Sequence, residues 1–150
     1  MQVGLEVDSA EVKVILDSLN RVADVANSRE LLDTVGAVIE SSTRRRIQIE
    51  KQTPEGKPWK PWSANYAKTR HSGHSLLSGH GDLLDTIFHD VDGDAAVIGS
   101  PLVYAAIHQF GGEAGRGLKV TIPARAYLGI SKQDELDVGD AIIAQLEEAL

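Results

Sequence analysis

The chain has 150 residues, 42% of them hydrophobic, a net charge of −7 and no cysteine. That length suits one domain able to bury roughly 68–70% of its unfolded surface. The missing thiols exclude disulfide frameworks, thiolate nucleophiles and Cys-based zinc or iron–sulfur sites, and no apolar run approaches the roughly 18 residues of a membrane span.

Val3, Leu5 and Val7 alternate with polar residues as in a short half-buried strand. Asp8 with Glu11 has capping-box spacing, so a helix is expected to begin there. Val12, Ile15, Leu16, Leu19, Val22, Ala23 and Ala26 then follow the i, i+3, i+4, i+7 rule, the clearest apolar stripe in the sequence. Asn27 or Ser28 restarts the pattern. Leu31, Leu32, Val35, Val38, Ile39 and Ile49 predict a second helix to about Gln52, before Pro54 pushes the chain out of helical geometry.

Residues 53–81 change character, with Pro54, Gly56, Pro58 and Pro61 followed by a Ser-, Gly- and His-rich run. They predict a long basic arm or loop with a helical turn near Ser63–Lys68, and connections of such length are usually functional or mobile. A short helix is expected at Asp82–Asp85, then a hairpin of Thr86–Val91 and Ala95–Gly99 around Asp92–Gly93–Asp94. Pro101 opens a short helix burying Tyr104, Ile107 and Phe110, closed by Gly111–Gly112. Leu118–Ile122 reads as a strand, whereas Gly111–Gly117 indicates only flexibility. Ser131 with Asp134 or Glu135 starts a last helix carrying Leu136, Ile143, Leu146 and Leu150.

Charge is unevenly placed: residues 1–43 sum to −5, 44–70 to +6, 71–130 to −3 and 131–150 to −5. Arg44, Arg45 and Arg46 sit near the end of the second helix, where cations complement its dipole. Trp59 and Trp62 interleave with Lys57, Lys60 and Lys68. Such a pattern can stack on single-stranded nucleic acid, or anchor the arm on a neighbouring subunit. The overall acidity favours the subunit, which in a homo-oligomer is another copy's acidic end.

Residues suited to catalysis are sparse. His71, His74 and His80 lack the H-E-x-x-H pattern of a helical zinc site and lie among Ser and Gly, so a solvated loop is expected rather than a metal centre. Asp90, Asp92 and Asp94 have calcium-loop spacing, but Gly93 falls at the fourth position and Pro101 stands where the bidentate Glu belongs. His108 has no Ser or Asp at a suggestive spacing and reads as a helix-terminal histidine. Phosphate-binding and nucleophile-elbow motifs are absent. No catalytic, cofactor-binding or metal-ligating residue is assigned.

Three stretches together resemble a known family. Thr53-Pro54-Glu55-Gly56-Lys57-Pro58-Trp59 resembles its "PDG..W" arm, and Gly81-Asp82-Leu83-Leu84-Asp85-Thr86-Ile87 its "tG-x-L-x-x-S-I" turn. Tyr104-Ala105-Ala106-Ile107-His108-Gln109-Phe110-Gly111, followed by Ile122-Pro123-Ala124-Arg125-Ala126-Tyr127-Leu128-Gly129, resembles "YA..HQFG … IPARPFLG". These belong to the phage virion morphogenesis, or tail completion, proteins of Mu-like and related tailed phages. The order and spacing carry the likeness, from about residue 28 onward; Thr86, Glu55 and Ala126-Tyr127 depart from the usual Ser, Asp and Pro-Phe.

The resemblance implies a non-enzymatic structural protein that completes the tail and prepares it for head–tail joining. The reading of the residues is an α+β fold, two N-terminal helices and one C-terminal helix on a small, mainly antiparallel sheet. The expected assembly is a homo-oligomeric ring, a hexamer by analogy with tail symmetry, meeting tail tube, tail terminator or neck proteins. It would be made in the host cytoplasm and reside in the virion tail or neck, with no cofactor, membrane or nucleic-acid partner. Arg44, Arg45, Arg46, Trp59, Trp62, Tyr104, His108, Phe110, Gly111, Arg125 and Tyr127 are the candidate interface or structural residues. Tyr104, Phe110 and Tyr127 suit a core or an interface equally, and Arg125 can offer its fork of donors to carboxylates at home or across a contact. The alternatives are a head–tail connector of another neck layer and a His-dependent metal hydrolase.

Overall fold

In a computed structural model, residues 9–150 are described, and the strand around Val3, Leu5 and Val7 and the Asp8 cap lie outside them. Helix α1 (Ser9–Ala26) ends where Asn27 Nδ2 donates to Ala23 O at 2.9 Å, and α2 (Arg29–Arg45) starts where Ser28 Oγ accepts from Leu31 N at 3.1 Å. The polar pair therefore breaks one helix and caps the next. The inward face of α2 carries Leu31, Gly36, Ile39, Ser42 and Thr43.

Beyond Arg45 the helix widens into a π turn, Arg46–Glu50, stopped by Lys51 at φ 55°. Lys51 N reaches back five residues to Arg46 O at 2.9 Å. The second helix thus changes form before Gln52, and Ile49, expected on its apolar stripe, is 70% exposed. The π turn instead carries Arg46 and Ile47 inward together. The arm then doubles back: Thr53 N donates to Lys57 O at 2.8 Å and Trp59 N to Lys51 O at 3.0 Å. Ser63 caps the short α3 (Ala64–Thr69), close to the expected helical turn.

Helix α4 (Asp82–Thr86) leads into the antiparallel hairpin of β1 (Phe88–Asp92) and β2 (Ala95–Gly99), registered Asp92 against Ala95 and Phe88 against Gly99. This hairpin lies across α2 at Gly36, where a Cβ would stand 2.6 Å from His89 Cδ2. Helix α5 (Ala105–Phe110) is followed by β3 (Gly112–Ala114), a 3₁₀ turn (Arg116–Leu118) and β4 (Val120–Ile122). The Gly-rich stretch is therefore half of a second hairpin, pairing Gly112 with Ile122, and not merely flexible linkage. Backbone pairing supplies the order that its side chains cannot.

Helix α6 (Lys132–Glu148) begins with a complete Ser131–Asp134 capping box and packs on α2 and α1. The α+β class holds, with the antiparallel strands divided between two hairpins. The core of Ile47, Trp59, Leu83, Ile87, Ala105 and Tyr127 lies where the π turn, arm, α4, α5 and the segment after β4 converge. Full burial of such side chains contributes about 1.5–3 kcal/mol apiece. Among the described residues no helix is long and apolar enough to cross a membrane.

Candidate assembly surface

The segment 123–130 has no regular structure, so its peptide groups need partners from elsewhere. Gln109 supplies three. Its Oε1 accepts from Tyr127 N at 3.0 Å and Leu128 N at 2.9 Å, while Nε2 donates to Leu128 O at 3.2 Å. Trp59 Nε1 donates to Ala126 O at 2.9 Å, and Arg46 Nη1 to Tyr127 O at 2.6 Å. The Tyr127 hydroxyl donates to Ala105 O at 2.8 Å, tying the segment to α5. Burial pushes that hydroxyl's pKa up, so it stays a donor.

Arg125 completes this clamp. Its guanidinium donates to Lys60 O at 2.8 Å and Pro61 O at 3.0 Å, and its backbone N to His108 O at 2.8 Å. The fork of donors therefore meets carbonyls of the arm and not carboxylates. Gly111, at φ 73°, lets the chain leave α5 against this segment; a Cβ there would lie 2.8 Å from Ala124 N.

Beneath the clamp is a buried ion pair. Arg46 Nη2 lies 3.0 Å from Asp134 Oδ2, both side chains 1% exposed, and Ser42 donates to the same carboxylate. Burial pushes the Asp134 carboxyl's pKa up, but hydrogen bonds from Ser131 and Ser42 and the Arg46 charge outweigh it and hold it low. One carboxylate thus caps α6 and ties it to α2.

The structure brings Arg46, Trp59, Gly111, Arg125, Tyr127 and the His108 carbonyl into this one centre and places the other candidates outside it. Arg44 donates to Leu84 O and Ile87 O, linking α2 to α4, and Arg45 pairs with Glu50 at 2.8 Å. Lys51 Nζ donates to Leu76 O and Ser75 Oγ, and Arg70 covers the Trp62 ring at 4.2 Å. Much of the basic cluster at 44–70 therefore braces this chain's own backbone. Among the described residues the side chains of Lys57, Lys60 and Lys68 form no hydrogen bond or ion pair, although the Lys57 charge helps, after hydrogen bonds from Glu55's own backbone and from Thr53, to hold the Glu55 carboxyl low.

Tyr104 is 42% and Phe110 78% exposed, against 1% for Tyr127, so the three aromatics divide between surface and core. A groove of about 770 Å³ opens beside them, lined by Trp62, Tyr66, Leu77, Tyr104, Ile122 and Arg125 among others. His108 faces it, stacked edge-on to Tyr104 at 5.9 Å. Burial and then the Arg125 charge lower the pKa of that ring, which is therefore neutral near pH 7. The His71, His74 and His80 rings gather at 4.8–6.4 Å, yet among the described residues no group of His, Cys, Asp or Glu is arranged to hold a metal.

Several organising residues escape sequence reasoning. Gln109 lies inside a quoted motif, but a lone Gln gives no sign that it serves another segment. His89 bridges Glu40 and Asp33 from β1 to α2. The Glu40 hydrogen bond raises its pKa above the ordinary histidine value despite burial. An alternating strand position offered only a face for that residue.

Helix α1 buries no residue completely, and Val12, Ile15, Leu16 and Leu19 stay 44–57% exposed. Leu136 and Ile143 of α6 are likewise exposed.

Comparison with known proteins adds three findings. Residues 7–147 match the model of the Phage virion morphogenesis family. The chain is 33% identical to the "Putative capsid assembly protein G" of Escherichia phage Mu, covering 100% of this chain and 97% of that protein. It is 32% identical to the "Mu-like prophage FluMu G protein 2" of Haemophilus influenzae, covering 89% and 90% respectively. No solved structure matches it significantly.

Proposed function

The chain belongs to the phage virion morphogenesis family, and from that premise we propose that it is a non-enzymatic subunit that completes the tail end and prepares it for joining to the head. The observation that carries the structural role is the clamp. In the HQFG and IPAR stretches, Gln109 and Arg125 direct their side-chain polar atoms at this chain's own carbonyls and amides. Donors committed in this way hold a shape and are not free to act on a substrate. Exposed apolar side chains on α1, on α6 and at Phe110 then offer surface for neighbours.

In this reading the subunit forms a closed ring around the tail axis, six-fold by analogy with the tail, at the tail end or neck. A head-to-tail contact whose rotation closes produces such a ring. Tail tube, tail terminator or neck proteins are its neighbours.

The name of the Mu relative favours a second reading, a part in building the capsid. Complementation separates the two. A phage lacking this chain should accumulate filled heads and unjoined tails, and the purified protein added to that lysate should restore joined, infectious particles. Failure to build normal heads, with tails unaffected, would overturn the tail-end proposal in favour of the capsid.

A further inference from the structure

We propose that a protonated His89 latches the β1–β2 hairpin onto α2, so that loss of one proton loosens this hairpin while the rest of the fold stays closed.

The geometry asks for two protons on one ring. His89 Nε2 lies 3.0 Å from Asp33 Oδ1, and Nδ1 meets Glu40 Oε2 on the other side. Carboxylates can only accept, and a neutral imidazole has a single N–H to give. Both contacts are hydrogen bonds at once only when the ring is an imidazolium. The ring is 20% exposed and sits against the α2 backbone, where a Cβ on Gly36 would come within 2.6 Å of it.

The hairpin depends on this attachment. Two strands alone are marginal in water, and these two pack on α2. The charged groups that face them from α2 are Arg29, Asp33, Glu40 and Arg44. Arg29 Nη1 donates to Val91 O at 3.0 Å, but its ion pair with Asp90 is 3.4 Å long and solvent-screened, both side chains being about two-thirds exposed. Arg44 Nε lies 3.1 Å from Glu40 Oε1 and otherwise serves Leu84 O and Ile87 O, ahead of β1. Strand β2 carries no ionisable side chain; β1 adds Asp90 and Asp92, and the turn Asp94. His89 is therefore the hairpin's one group that is largely shielded from water and changes charge near neutrality.

Deprotonation has a defined loser. Glu40 keeps Arg44 and the remaining N–H, while Asp33, 66% exposed, turns to water. The Glu40 hydrogen bond raises the His89 pKa despite burial. Burial pushes the Glu40 carboxyl up, but hydrogen bonds from His89 and Arg44 outweigh it and hold it low. The latch is thus whole at the ordinary histidine value of 6.5 and is lost as pH rises through the raised folded value. On the acid side its Glu40 half lasts until pH falls through the lowered carboxyl value.

Amide hydrogen exchange of the full chain between about pH 6 and about pH 9, corrected for the intrinsic rate, tests this. Protection across 88–99 should fall by about tenfold for each unit by which the folded His89 pKa exceeds its ordinary value, while α6 holds steady. A nitrogen-15 titration of the His89 ring should place its midpoint above 6.5, at the pH where that protection falls. His89→Gln should remove the pH dependence. Asp33→Asn, at an exposed site, should keep the fold and move the midpoint down. Hairpin protection that ignores pH, or that falls equally in His89→Gln, would overturn the latch. A ring midpoint at or below 6.5 would do the same. Should His89→Gln not fold, Asp33→Asn decides, for an unmoved midpoint there also sinks the idea.

Discussion

The clamp around Tyr127 and the α1–α6 face are built on opposite terms. Around Tyr127 the backbone is irregular, and nearly every polar side chain nearby is engaged with it. Along α1 and α6 the backbone satisfies itself, and large apolar side chains remain in solvent. The stretches that look most like a site hold the fold together, while the plainest helical pattern leaves its large apolar side chains exposed. Residues rich in donors gather where peptide groups lack partners, and that need arises inside a small protein with much loop.

The comparison breaks most easily at Arg46. Arg46→Met should cost about 3–5 kcal/mol, read as a drop in the urea midpoint, because it leaves the Asp134 carboxylate buried without its counter-charge. Next is Gly111→Ala, which must hold a positive φ and press a Cβ onto Ala124; about 1–3 kcal/mol is expected by thermal melting.

A smaller effect should appear in the pH dependence of Tm. The raised pKa of His89 means that its bridge to Glu40 stabilises fully below the ordinary histidine value of 6.5, and fades as pH climbs through the raised folded value. His89→Gln should therefore lower Tm in mild acid and match the wild type in alkali. Asp134 runs the other way: its lowered pKa gives stability above 3.8 that is lost as pH falls through the folded value. A wild-type advantage over His89→Gln that grew with pH would contradict the bridge.

The smallest effect on folding belongs to the other region. Leu19→Ser should change stability by no more than about 0.5 kcal/mol, since that side chain is 56% exposed. If the proposed ring uses this face, its consequence should instead appear as a loss of assembly in sedimentation. A large loss of Tm in Leu19→Ser would erase the distinction between the two regions.

Much of the local architecture was legible because local rules govern it. Ser28 and Ser131 are side-chain caps, Gly111 a helix stop, and Asp92–Ala95 a tight hairpin, each readable within four residues. The π turn was not legible, because Ile47 and Ile49 suit either helix period and packing of Ile47 into the core decides between them. Strand β3 was hidden since Gly112-Glu113-Ala114 has no alternation, and only its ladder with β4 makes it a strand. Among candidate site residues, membership of a shared centre could not be read: Arg44, Arg45 and Arg46 are adjacent in sequence yet serve three different partners.

By itself, then, the sequence determined where helices start and stop, which faces are apolar, the family likeness and the poverty of catalytic groups. Those follow from side-chain chemistry acting over a turn or two. Tertiary structure alone decided which apolar face is core and which is surface, and whether a basic cluster is displayed or turned inward. Arg46 shows the reason: its partners Tyr127 and Asp134 are 81 and 88 residues away. The stripe of α1 shows the converse, for periodicity tells that a face wants covering but not which body covers it.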